Sequence, residues 1–296
     1  MPIRVRARSL AALVAAAGTA ALGLAAPTPA AAVPRPTADG LSYVAMGDSY
    51  SAGSGVLPLD PAAPLLCARA AANYPHVIAR RTGAELTDVT CGGAQTKDFA
   101  GSQYPGVAPQ LDALGKGTDL VTMTIGGNDN NTFISAILAC GSAGILTGGK
   151  GSPCKDLYKD SFTEKVDTVT YPAVKQALAA VKAKSPGAQV AILGYPWILP
   201  AQAAPGCFAK MPVATGDVPY LRDLQTHLNK AVQRAASETG ATYVDLSGVS
   251  EGHDACQPAG TRWIEPVLFG TNIVPVHPNA LGESKMAEQA IDALHL

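Results

Sequence analysis

Two rhythms of apolar residues alternate along the chain. Residues 41–46, 120–125, 189–193 and 241–246 are short, nearly continuous apolar runs of strand length, and 85–90 is a shorter extended segment of mixed polarity. Runs without polar alternation belong to strands buried on both faces. Between them the spacing becomes helical. A helix is expected around 71–81, and Val174, Ala177, Leu178 and Val181 fall at i, i+3, i+4 and i+7, with Pro172 marking a start or a kink. Leu221, Leu224, Leu228 and Val232 mark a further helix face, and Ala287, Ala290, Ile291 and Leu294 mark a closing one. The stretch 195–218 is Pro-rich and reads as irregular. Five strands alternating with helices predict an α/β fold: a five-stranded parallel sheet with helices on both faces.

The strand tips carry the candidate chemistry. Three of them end in glycine followed by small or polar residues: Gly47-Asp48-Ser49, Gly92-Gly93-Ala94 and Gly126-Gly127-Asn128-Asp129. In a parallel sheet these tips share one edge, where α/β proteins bind ligands. Glycine at a strand end is ordinary turn chemistry at any one tip. Three such tips in this order fit acyl transfer, which needs a nucleophile, a base and donors placed where an oxyanion develops. Ser49 is the candidate nucleophile, and the Ser49 N–H, the Gly93 N–H and the Asn128 amide are candidate donors. Of five histidines, His76 and His227 sit on polar helical faces, His295 is at the terminus, and His253, beside Asp254, is a secondary candidate for the base. His277 is preferred: Val276-His277-Pro278-Asn279 immediately precedes the closing helix, and Pro278 suits a first helical turn.

Composition sets the context. Arg4, Arg6 and Arg8, an apolar run over 10–26 and Ala30-Ala31-Ala32 read as a signal peptide over residues 1–32, leaving 33–296 as a single exported domain. The run is too short and alanine-rich for a membrane anchor. A formal net charge of −1 without a basic cluster argues against nucleic acid, anionic membrane or a polyanionic substrate. Six cysteines in an exported chain predict three disulfides. Fifteen connectivities are possible, and the sequential one, Cys67–Cys91, Cys140–Cys154 and Cys207–Cys256, closes the shortest loops. Without a Cys-x-x-Cys pair or histidines at ligand spacing, no metal site and no cofactor are expected. A monomer is expected.

At these residues the chain resembles the GDSL or SGNH hydrolases, in their secreted actinobacterial lipase and esterase branch. Four blocks in family order carry the resemblance: Gly47-Asp48-Ser49-Tyr50-Ser51, with tyrosine where the family name has leucine, Cys91-Gly92-Gly93-Ala94, Gly126-Gly127-Asn128-Asp129 and His277-Pro278-Asn279. The resemblance implies a flavodoxin-like three-layer sandwich, with Ser49 as nucleophile, His277 as general base and Ser49, Gly93 and Asn128 as the oxyanion hole. It also implies fatty-acyl esters, small-molecule or lipid, as substrates, with phospholipase action or deacetylation of a polysaccharide as alternatives. One departure stands out. Where much of the family has an aspartate three residues before the histidine, this chain has Val274, so a main-chain carbonyl of Val274 or Pro275 is expected to orient His277, with Asp254 and Asp245 as possible carboxylates.

Two competing readings are weaker. Gly248-Val249-Ser250-Glu251-Gly252 matches the nucleophile elbow of α/β-hydrolases, but the residues after it lack helical periodicity. A non-enzymatic binding module would need a phosphate-cradling fingerprint that Gly53-Ser54-Gly55 does not complete. An acyl groove is expected from Trp263, Ile264, Val267, Leu268, Phe269, Ile273 and Val274, together with Trp197, Ile198 and Leu199.

Overall fold

Five strands in the order β2-β1-β3-β4-β5, all parallel, form the centre of the computed structural model, which describes residues 40–296. The signal peptide read over 1–32 and the start of the domain at 33 lie outside the described residues. In chain order the strands are β1 (Ser42–Gly47), β2 (Glu85–Asp88), β3 (Leu120–Thr124), β4 (Gln189–Leu193) and β5 (Thr242–Val244). Every residue of β3 is buried, Thr122 and Thr124 included, as its nearly continuous apolar run predicts, and its register sets Val44 beside Val121 and Val121 beside Val190. Each fully buried aliphatic side chain in this layer contributes roughly 1.5–3 kcal/mol.

Six helices matter for the site: α1 (Ser49–Ala52), α2 (Tyr74–Thr82), α3 (Thr132–Leu146), α4 (Tyr171–Lys184), α5 (Asp217–Thr239) and α6 (Ala280–Leu294). Right-handed crossovers send α2 to one face of the sheet and α4 and α5 to the other, because the strand order reverses at β1. Accordingly α2 packs against α6, and α4 against α5. The order matches the flavodoxin-like arrangement, whose switch point lies between β1 and β3. Local sequence sets the helix ends. Asn73 caps α2 by accepting from the His76 N–H at 3.1 Å, and Gly83 closes it with φ 75. Asn279 caps α6 by accepting from the Gly282 N–H at 3.0 Å.

Helix α3 is the element that periodicity does not announce. It buries Thr132, Ala136, Ile137, Cys140 and Gly144 while exposing Leu138, Ile145 and Leu146, so it is apolar nearly all round and its 3.6-residue rhythm is blurred. Of the stretch 195–218, residues 195–216 are irregular except for a short helix at Cys207–Lys210, and its last two residues already belong to α5. Three disulfides join Cys67 to Cys91, Cys140 to Cys154 and Cys207 to Cys256. The first clamps the long β1–β2 connection to the tip of β2, where the Gly92 N–H also donates to the Cys67 carbonyl at 2.7 Å. A bridge of this kind contributes roughly 2–4 kcal/mol.

Candidate active site

The tip of β1 turns sharply because Gly47 has φ 116, and a Cβ there would lie 2.3 Å from the Thr124 carbonyl oxygen on β3. Only glycine fits. Asp48 then caps α1, its carboxylate accepting from the Tyr50 N–H at 3.0 Å, and Ser49 is the first residue of that single turn. Asp48 also accepts from the Thr124 hydroxyl at 2.7 Å and the Tyr195 hydroxyl at 2.6 Å. Burial pushes its carboxyl up to about 6, against the pull of these three donors.

Ser49 Oγ stands 2.7 Å from His277 Nε2, across 228 residues of sequence. The other ring nitrogen, Nδ1, is 2.8 Å from the Pro275 carbonyl oxygen. A carbonyl only accepts, so Nδ1 carries the proton and donates it, leaving the Nε2 lone pair to accept from the serine hydroxyl. Of the two main-chain carbonyls expected to orient the ring, it is that of Pro275 which meets it. Burial lowers the pKa of His277 from its ordinary value, partly offset by the Pro275 carbonyl.

Donors gather from the neighbouring tips. Gly93, with φ 76, follows β2, and Asn128 follows β3. Asn128 Nδ2 donates one hydrogen to the Ala94 carbonyl at 3.2 Å, and the amide carries a second. The buried Asp129 carboxylate accepts from the N–H and hydroxyl of Thr96 at 2.8 and 2.9 Å, which locks the glycine tip to the asparagine tip. Asn130 and Asn131 continue that turn with φ 52 and 54, a left-handed pair that asparagine tolerates.

The histidine rides on an irregular segment. Here, among the described residues, the pairing of sheet type is an isolated bridge between Ile264 and Pro278. Its anchor is Glu265, fully buried, which accepts from Arg262 Nη2 at 2.8 Å and Nε at 3.2 Å, Thr271 N–H at 2.6 Å and hydroxyl at 3.0 Å, and Asn279 Nδ2 at 2.9 Å. Burial opposes ionisation of Glu265, but these donors prevail and hold its pKa down at about 2. Its backbone brackets the base: the Glu265 N–H donates to the His277 carbonyl at 2.9 Å, and the Val276 N–H donates to the Glu265 carbonyl at 2.8 Å. Val276 itself has φ 62, a strained value for a β-branched residue, and its carbonyl accepts from the Tyr50 hydroxyl at 2.7 Å.

The remaining candidates lie elsewhere. His253 stacks on Trp263 and its Nδ1 is 2.6 Å from the Thr261 carbonyl. His76 faces Asn73 and Asp88, His227 faces Asp167, and His295 ends α6. Asp254 accepts from Cys256 and Gln257, and Asp245 from Ser247. Ser250 is fully buried in a turn and receives the Trp197 N–H at 3.0 Å, so the nucleophile-elbow match is a turn and no elbow. The expected acyl groove needs correction. Trp197, Leu199, Trp263 and Ile264 are buried in the interior, and Val267, Leu268, Phe269 and Ile273 face outward. Of the expected residues Ile198 does line the cleft at Ser49 and His277, whose other apolar walls are Phe133, Ile134 and Ile137 of α3 with Leu228. Sequence reasoning also missed Glu265, Tyr195 and Thr96. The alternation of Phe133, Ile137 and Cys140 at i, i+4 and i+7 was the one signal available for the wall. Among the described residues no group of three or more histidine, cysteine or acidic side chains could hold a metal ion.

A doubly wound parallel sheet with a serine on its first tip, a histidine ahead of its last helix, and a glycine and an asparagine on the adjoining tips defines an ester hydrolase of the SGNH type. The model of the GDSL-like lipase/acylhydrolase family matches residues 45–285, and the chain belongs to that family. It is 67% identical to Lipase 2 of Streptomyces coelicolor over 296 residues, all of both chains. Among solved structures, it is similar to phospholipase A1 from Streptomyces albidoflavus NA297, with a TM-score of 0.70 and 26% identity over 86% of this chain and 98% of that one. The extracellular lipase of Streptomyces rimosus gives a TM-score of 0.68 and 27% identity, with the same coverage. The chain is a carboxylic-ester hydrolase.

Proposed function

We propose that the protein hydrolyses fatty-acyl esters through an acyl-enzyme on Ser49, with His277 as general base. The observation that carries this reading is the 2.7 Å approach of Ser49 Oγ to His277 Nε2 in the lining of an apolar cleft. Neutral His277 takes the Ser49 proton as Oγ attacks the ester carbonyl carbon. The carbonyl oxygen, now negative, is met by the Ser49 N–H, the Gly93 N–H and the Asn128 amide. Collapse of this intermediate breaks the bond to the alcohol oxygen, which takes the proton from the imidazolium. Water, deprotonated by the same imidazole, then attacks the acyl-enzyme and releases the fatty acid. The Pro275 carbonyl holds the tautomer but carries less negative charge than the carboxylate of a triad.

The acyl chain lies along Phe133, Ile134, Ile137, Ile198 and Leu228. The names of the relatives, lipase and phospholipase A1, support lipid esters over acetylated glycans. Residues 1–32 direct export and 33–296 act as one domain. Three disulfides, which suit an oxidising compartment, and the extracellular lipase among the relatives support that placement. A panel of p-nitrophenyl esters from acetyl to palmitoyl, with phosphatidylcholine and an acetylated glycan beside them, tests the substrate. Turnover per enzyme is expected to rise from acetyl toward longer acyl groups. Hydrolysis confined to glycan acetate would overturn the fatty-acyl reading.

A further inference from the structure

Two phenols pack edge to face in the cleft: the Tyr50 and Tyr195 rings have centroids 5.1 Å apart and an interplanar angle of 82°. Each ties the nucleophile turn to one other part of the site. Tyr50 directly follows Ser49, and its hydroxyl donates to the carbonyl of Val276, the residue before His277. Tyr195 donates to Asp48, the residue before Ser49, and accepts at 2.9 Å from the N–H of Gly127, the residue before Asn128. The two hydroxyls therefore grip the peptides adjoining the base and the oxyanion amide and refer both to the same turn. Val276 sits in the left-handed region, which a β-branched residue leaves readily, so its carbonyl direction depends on such ties.

We propose that Tyr50 and Tyr195 are positioning residues with separate duties, Tyr50 aligning His277 against Ser49 and Tyr195 aligning Asn128 against the developing oxyanion. The inference rests on the roles given above to Ser49, His277 and Asn128. It also gives meaning to the tyrosine at position 50, since leucine, which the family name carries there, has no donor for the Val276 carbonyl. Burial raises both phenols above their ordinary pKa, so both hydroxyls keep the hydrogen they donate.

The test compares Tyr50→Phe, Tyr195→Phe and, as a packing control, Tyr43→Phe, which removes a buried hydroxyl bonded to Thr122 in the sheet. Labelling of wild-type Ser49 by a phosphonate ester comes first, so that failure of the dyad is seen separately. Tyr50→Phe should lower kcat/KM about tenfold, the scale of one lost hydrogen bond, and move its acid limb up toward the ordinary histidine value as the imidazole loosens into water. Tyr195→Phe should lower kcat about tenfold and weaken binding of a trifluoromethyl ketone by a like factor, with KM within about twofold. Tyr43→Phe should lower the thermal midpoint and change none of these readings. If a phenylalanine variant does not fold, 4-fluorophenylalanine at the same position fills the space of the hydroxyl without a donor and must still shift the acid limb at 50 or the ketone affinity at 195. Tyr50 and Tyr195 variants that behave like Tyr43→Phe would overturn the proposal.

Discussion

The serine side and the histidine side of the site are built on opposite plans. Ser49, Gly93 and Asn128 follow the tips of β1, β2 and β3, three adjacent strands whose ladder brings them to one edge before the Thr96–Asp129 and Tyr195 contacts fix the tips. His277 arrives on a segment nearly devoid of regular structure and is held by a buried ion pair, an asparagine cap and a phenol from the other side. The sheet supplies position as a by-product of folding. The loop must obtain the same accuracy from individual polar contacts, each of which can be removed singly.

The largest effect should come from exchanging the two serines. Ser49→Ala is expected to lose on the order of 10⁴-fold or more in turnover while its thermal midpoint stays within a few degrees of wild type. Ser250→Ala should do the opposite, keeping near-normal turnover and losing about 1–3 kcal/mol of stability as the Trp197 N–H loses its acceptor. Steady-state kinetics and thermal melts on both decide it. An active Ser49→Ala protein would remove the serine side of the comparison altogether.

Glu265 probes the histidine side. Glu265→Gln leaves the Arg262 guanidinium buried without its counter-charge, a loss of about 3–5 kcal/mol in buried pairs. The thermal midpoint should fall by roughly 10 °C, with kcat falling too because the peptides on either side of His277 are released. Adding Arg262→Met should restore part of the midpoint by removing the stranded charge. A Glu265→Gln enzyme of normal stability and turnover would show that the loop needs no ionic anchor.

The smallest effect is read from pH. In the proposed mechanism His277 accepts a proton only when neutral, so activity should be present above its pKa and lost as pH falls through it. Because burial lowers that pKa, the acid limb of kcat/KM should lie below 6.5, the ordinary value. Asp48, at about 6, titrates in the same window, and Asp48→Asn should leave a limb that belongs to the histidine. A limb above 6.5 in the wild type would contradict the partly buried, carbonyl-oriented ring.

The same contrast explains what could be read in the residues alone. Apolar runs ending in glycine announced β1, β3 and β4 to within a residue or two, and with β1 and β3 the places of Ser49 and Asn128, because the determinants are local. Glu265 and Tyr195 gave no sign. The partners of Tyr195 lie far off in sequence, and those of Glu265, Arg262, Thr271 and Asn279, lie in an irregular loop where no periodicity pairs them. Helix α3 was hidden by its own apolarity, so the groove was assigned to Trp263 and its neighbours, which the structure divides between interior and solvent. The choice of Pro275 over Val274 depends on the left-handed turn at Val276, and no residue-type preference foretells a valine there.

The acceptor that orients His277 belongs to a peptide group and to no side chain. It is encoded by the path of the chain, and no codon specifies it. Replacing residue 275 leaves a carbonyl in place, so the loss that follows replacing the aspartate of a triad has no counterpart at that position. In a lineage accumulating substitutions, this part of the machinery can be lost only by rerouting the loop. The genetic target that must be preserved is therefore the loop's scaffold of Glu265, Arg262, Asn279 and Tyr50, spread over four positions, where a triad would concentrate it in one.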